Sequence, residues 1–163
     1  MCSSEGFQYF SLPVDLHGRT VLGEKRKKQI ILEAETLAAV TAFALWQFFF
    51  AGRRCVLFVD NEGTKFSLLK VSFDNDIVDL LAGYFAEYEL LVHAFSWLAR
   101  VPSKSNIADP PSRNDTSLPF FDNAFNVSTK AKEVADLLIS KILEDGEKGF
   151  ETSQLGKRRV QLS

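Results

Sequence analysis

The chain has 163 residues, 46% of them hydrophobic, 25% charged and 15 of them Phe. That composition suits one globular domain with an aromatic-rich core and excludes a disordered chain. A formal net charge of −2 excludes tight nucleic-acid binding by bulk charge, because such affinity comes largely from neutralised phosphates.

In chain order, residues 7–12 alternate as a strand that Pro13 ends or marks as an edge. Residues 14–29 are polar, with a basic run at 25–28, and read as a loop leading into a helix. Residues 33–51 give the strongest helix signal, rich in Ala and Leu, and Gly52 stands where a helix end wants it. The apolar stretch 37–51 is short for a membrane span and follows Glu33 and Glu35, so a buried helix is expected instead. Residues 55–59 (CVLFV) read as a fully buried, parallel strand.

A short helix is expected at 63–70. A second, capped by Asp74 or Asp76, should run to about Glu89. Residues 91–98 alternate as a strand with His93 in its middle, and 101–123 form a Pro-rich loop. An amphipathic helix is expected at 128–144, followed by a polar, disordered tail. The divisions are therefore a domain at 1–127, a C-terminal helix at 128–145 and a tail at 146–163. Alternating strands and helices imply an α/β class. Cys2 and Cys55 lack metal-ligand spacing, and residues 1–6 show no secretory pattern. A reducing, intracellular setting, cytoplasmic or nuclear, is the expectation, so the sequons at Asn114 and Asn126 carry little weight.

Three acids occupy positions where α/β folds place chemistry. Asp60 ends an apolar strand, and ligands bind at strand carboxyl ends. Glu35 begins the long helix on the side of Ala38, Ala39 and Ala42, small residues that permit close approach to a sheet. Asp109 precedes Pro110-Pro111, a stiff turn that can aim a carboxylate. Oxygen-only ligands select hard cations such as Mg²⁺ or Mn²⁺. Taken singly, each acid is equally well explained as a cap, a turn residue or a helix-dipole partner.

Residues 35–46 (ETLAAVTAFALW), 56–61 (VLFVDN) and 97–113 (WLARVPSKSNIADPPSR) together resemble the ribonuclease H-like domains of retroelement reverse transcriptase polyproteins. The resemblance covers residues 7–113, and its last stretch is the most specific. It implies a mixed sheet flanked by helices, with 7–12 as the third strand and the first one or two strands missing. It implies Mg²⁺-dependent (or Mn²⁺-dependent) hydrolysis of RNA in RNA–DNA hybrids, with Glu35, Asp60 and Asp109 as metal ligands and catalytic acids. Glu33 competes with Glu35 for that role. Asn61, Lys65, Ser103, Lys104 and Arg113 would touch the hybrid's backbone, and other polyprotein domains would be partners.

The departures from the family bear on activity. Its first strand carries an Asp that bridges two metal ions, and no Asp precedes Phe7 here. Asp15 lies in a loop and is a poor substitute. Cellular members carry a His before the last Asp, and 101–106 has none. The isolated chain is therefore expected to be inactive. The alternatives are a non-catalytic remnant and a protein-interaction module using the helix at 128–144. Trp97 is expected to be buried beside the sheet rather than to stack on a base.

Overall fold

The computed structural model describes residues 7–12, 29–70, 75–113 and 115–160. The basic run 25–28, Asp15 and the proposed cap Asp74 lie outside the described residues. The elements are β1 (Gln8–Tyr9), α1 (Gln29–Phe50), β2 (Arg54–Val59), α2 (Glu62–Lys70), α3 (Asp76–Leu91), β3 (Phe95–Arg100), α4 (Asp109–Ser112), β4 (Phe125–Asn126) and α5 (Ser128–Val160). Short 3-10 turns occupy Ser103–Ser105 and Pro119–Asn123. The class is α/β, and both strand pairs, β2 with β3 and β1 with β4, are parallel. No antiparallel pair occurs among the described residues, so the mixed character expected of the sheet is not seen there.

Helix α1 is the spine. Val40, Thr36, Thr41 and Phe43 have at most 1% of their surface exposed. Phe43 stacks on Phe50 at 4.8 Å between centroids and meets Phe85 of α3 edge-on at 4.9 Å. Such aromatic pairs add ~0.5–1.5 kcal/mol each beyond simple burial. Helix α1 is long and apolar enough to cross a membrane by length and composition alone, but here it packs against α2, α3, α5 and β2. The buried stripe runs through Thr36, Val40 and Phe43, whereas Ala38 is exposed. Of the small residues expected to approach the sheet, Ala39 packs against the core and Ala42 is half-buried, while Ala38 faces outward. Trp46 breaks the helical backbone (φ −107°, ψ 15°), and its indole N–H donates to Gln8 Oε1 at 2.9 Å, holding β1 against the helix.

Gly52 adopts φ +66°, a conformation without steric cost only for glycine. The turn it makes delivers the chain into β2, and its N–H donates to Val92 O at 2.8 Å. Helix α3 is capped by Asn75, whose Oδ1 accepts from the N–H groups of Ile77 and Val78, both at 3.1 Å. This helix runs on to Leu91, and β3 starts only at Phe95. His93, expected mid-strand, instead occupies the turn between them with φ 51°.

β2 is parallel as expected, but it is not buried on both faces. Cys55 and Leu57 pack against the core, while Val56 is 54% and Phe58 67% exposed. On β3 the alternation is the same: Leu98 is buried, whereas Phe95 is 63% and Trp97 68% exposed. The helices cover one face of this ribbon, and no described element covers the other. The two edges also differ. Glu89 of α3 accepts the Ser96 N–H at 2.9 Å and so occupies the outer edge of β3. Along β2, the residues Arg54, Val56 and Phe58 alternate away from β3, and no described strand pairs with them. β1 does not fill that edge. It pairs with β4, Gln8 opposite Phe125 and Tyr9 opposite Asn126.

Helix α5 lies along α1 and α3. Ala131, Ala135, Leu138, Ile139 and Ile142 are buried, and Leu138 and Ile142 belong to the main core. The amphipathic face read from the sequence therefore faces inward. The helix extends to Val160, past Glu144 and through most of the tail expected to be disordered. That stretch contains no Pro, and its Lys, Glu and Leu are good helix formers.

Candidate functional site

Two acids of α1 point in different directions. Glu33 and Glu35 are two residues apart, hence about 200° apart around the helix. Glu33, 4% exposed, turns toward the start of α3, where Asn75 Nδ2 donates to its Oε1 at 2.7 Å. Glu35 turns toward the carboxyl end of β2. There it receives a hydrogen bond from Asn61 and feels the charge of Asp60. Asn61 also caps α2, its Oδ1 accepting from Gly63 N at 2.7 Å and Thr64 N at 3.3 Å. Each glutamate therefore meets the asparagine that starts the next helix.

Gly63 makes the second junction possible. A methyl group at that position would stand 3.0 Å from both Asn61 Oδ1 and Leu32 Cδ1. Beside it, Thr36 and Thr64 meet in the core with their hydroxyls 3.5 Å apart. Small side chains at this crossing let α1 and α2 approach closely, and that approach carries Glu35 to Asp60.

Burial pushes both glutamates above the usual carboxylate range. For Glu33 the bond from Asn75 opposes the shift. For Glu35 the bond from Asn61 opposes it and the negative Asp60 adds to it. In each case Oε2 is buried without a hydrogen-bond partner among the described residues. A buried acceptor without a partner is costly, and on Glu35 it lies in the neighbourhood of a second carboxylate. This donor set suits a hard cation, which would supply the missing partner and offset the repulsion.

Asp109 does not join them. It opens α4 in the segment that leaves the same end of the sheet, where Val101 N donates to Val59 O at 2.9 Å. Its Oδ1 accepts from Arg113 Nη2 at 3.1 Å, a largely solvent-facing pair. Among the described residues no three His, Cys, Asp or Glu side chains stand close enough to hold one ion. The three-carboxylate cluster expected from the sequence is not formed among the described residues; Glu35 and Asp60 are near enough for the charge of Asp60 to act on Glu35.

The expected nucleic-acid contacts separate in the same way. Asn61 is engaged as a cap and a Glu35 partner. Arg113 is engaged with Asp109. Lys65 is half-buried, its ammonium 5.7 Å from the centre of the Phe66 ring. Ser103 and Lys104 are exposed in the turn after β3. The expectation of a buried Trp97 is overturned by its exposure. An open cleft of about 430 Å³, lined by Gln8, Phe125 and Lys130 among others, lies at the β1–β4 seam and takes in none of the three acids. Set against known proteins, the chain matches no family model, no curated protein and no solved structure.

Proposed function

We propose that this chain is a ribonuclease H-like domain of retroelement origin whose Glu35 and Asp60 hold a divalent cation. The carrying observation is that Glu35, on the long first helix, lies near enough to Asp60, at the carboxyl end of a parallel strand, to feel its charge. The order of elements supports it: long helix, strand, two helices, parallel strand, then the short helix α4 that Asp109 opens. This is the order the resemblance implies once the first strands are set aside.

Mg²⁺ or Mn²⁺ would be held by Glu35 and Asp60, and when bound it supplies a polarised water for hydrolysis of the RNA strand of a hybrid. The chain's own residues prepare the place. Helix α1 fixes Glu35, burial keeps its carboxylate poorly hydrated, and Asn61 orients it. An RNA–DNA hybrid would be the substrate and other polyprotein domains the partners, in an intracellular setting. The bond from Arg113 to Asp109 favours a second reading, a remnant that binds a cation or nucleic acid without cleaving it.

Spin resonance of Mn²⁺ tests the site. Adding protein should deplete the free-ion signal, and Asp60→Asn should restore it. An undiminished signal at millimolar protein would count against the proposal. Incubation of a hybrid duplex with the chain extended by the first two strands of a ribonuclease H-like domain separates the two readings: cleavage lost in Asp60→Asn supports the nuclease, and ion binding without cleavage supports the remnant.

A further inference from the structure

The uncovered face of the β2–β3 ribbon carries Arg54, Val56 and Phe58 from one strand and Phe95 and Trp97 from the other. We infer that this face is a stacking platform for single-stranded nucleic acid, with bases on Trp97, Phe95 and Phe58 and phosphates on Arg54 and its neighbours. The site is separate from the carboxylate pair, and it goes beyond the proposed hydrolysis.

Three observations favour this occupant. The first is composition: three of the five side chains are aromatic, each more than 60% exposed. Aromatic rings on a sheet are the means by which extended strands are held without regard to sequence, since every base has a flat face. The second is spacing. Phe95 and Trp97 lie two residues apart on one strand, ~6.6 Å, so each ring can take its own base. Val56 stands directly opposite Trp97, and small Ala99 stands opposite Phe58, which leaves both rings open.

The third is charge. The chain as a whole is net negative, yet the two strands contain no acid; Arg54 stands on the open face, while Arg53 and Arg100, which alternate to the other face, lie at the two ends of the ribbon. All three arginines are exposed, and none has a carboxylate partner among the described residues. Arg54 is paired across the ribbon with Phe95, so it flanks the first ring. A two-fold contact between copies sets the same patch against itself. That would bring arginine-bearing faces together, so charge favours an anionic ligand over a second copy.

The probe is fluorescein-labelled oligo(dT), read by anisotropy against the full chain at low salt. The wild type should bind in the micromolar range, and Trp97→Ala should weaken binding about tenfold or more. Trp97→Phe, which keeps a ring, should retain most of the affinity. Arg54→Ala should reduce the salt dependence by about one phosphate contact. Trp97 is mostly exposed, so circular dichroism of the Ala variant should match the wild type. Asp60→Asn should bind no more weakly than wild type, which separates this face from the carboxylate site. Absent binding, or equal binding by Trp97→Ala, overturns the inference. So does sedimentation showing self-association that Trp97→Ala abolishes without any oligonucleotide binding, since the face would then belong to a second copy.

Discussion

Asn75 joins two helices: its Nδ2 donates to Glu33 Oε1 at 2.7 Å while its Oδ1 accepts the Ile77 and Val78 N–H groups. Removing it costs both the cap and a hydrogen-bond partner of a buried carboxylate. Asn75→Ala should therefore destabilise the fold by ~2–3 kcal/mol, combining a lost cap with a stranded acceptor. Asn75→Asp keeps the cap but sets a second negative charge against Glu33. It should be destabilised at neutral pH and recover on mild acidification. Urea unfolding at two pH values checks both; a harmless Asn75→Ala would remove the tether from the account.

Stability should rise as pH falls from neutrality toward about 4.5. Glu33 and Glu35 have folded-state pKa values raised above the ordinary 4.5, so between these two limits the folded state binds more protons than the unfolded one. Unfolding free energy then decreases with rising pH across that window. Below it, the gain is complete and the usual acid losses from other carboxylates begin. Glu35→Gln should be more stable than wild type at pH 7, with the difference shrinking toward pH 4.5. Thermal melts across pH 4–8 without divalent ions test this, and a less stable Glu35→Gln at pH 7 would contradict it.

His93 sits at φ 51° between α3 and β3, a left-handed backbone conformation that strains a residue with a side chain. Glycine adopts that conformation freely. His93→Gly should stabilise the chain by ~1 kcal/mol. A loss of stability on denaturant titration would show that the imidazole contributes something at that turn.

The sequence disclosed most of the elements because their apolar periodicity is strong: α1, α2, α3, β2 and the helix beginning at Ser128. It misplaced the start of β3, since residues 91–94 alternate as a strand would, and no glycine marks the left-handed turn at His93. The run CVLFV looks the same whether one face or both are covered. Exposure of Val56, Phe58 and Trp97 depends on elements distant in sequence, so it was not legible locally. Glu35 and Asp60 were singled out by their places at a helix start and a strand end, with the family resemblance as support. The bond between Asp109 and Arg113 follows from i,i+4 spacing in a helix too short to be recognised, and the roles of Asn61 and Asn75 as junctions required the tertiary arrangement.

The open edge of β2 predicts a gain of function. Two carboxylates are fewer than the proposed two-metal hydrolysis uses, so the chain should not cleave an RNA–DNA hybrid in Mg²⁺ or Mn²⁺. Extending it with the first two strands of a ribonuclease H-like domain, Asp included, should pair the backbone groups of Arg54, Val56 and Phe58 that no described strand meets. The extended protein should be more soluble and should cleave. Cleavage by the unextended chain that disappears in Asp60→Asn would show that another acid completes the site, with Asp15 the first to test.

The central claim, a cation held by Glu35 and Asp60, is tested most directly by melting curves in Mn²⁺. A ligand that binds only the folded state stabilises it in proportion to the logarithm of its concentration, by ~2.7 kcal/mol at one hundred times its dissociation constant. The wild type should show a melting temperature that climbs steadily through the millimolar range, while Asp60→Asn, measured alongside, should stay nearly flat. A wild-type curve that does not move with Mn²⁺, or one that moves equally in Asp60→Asn, would contradict the claim.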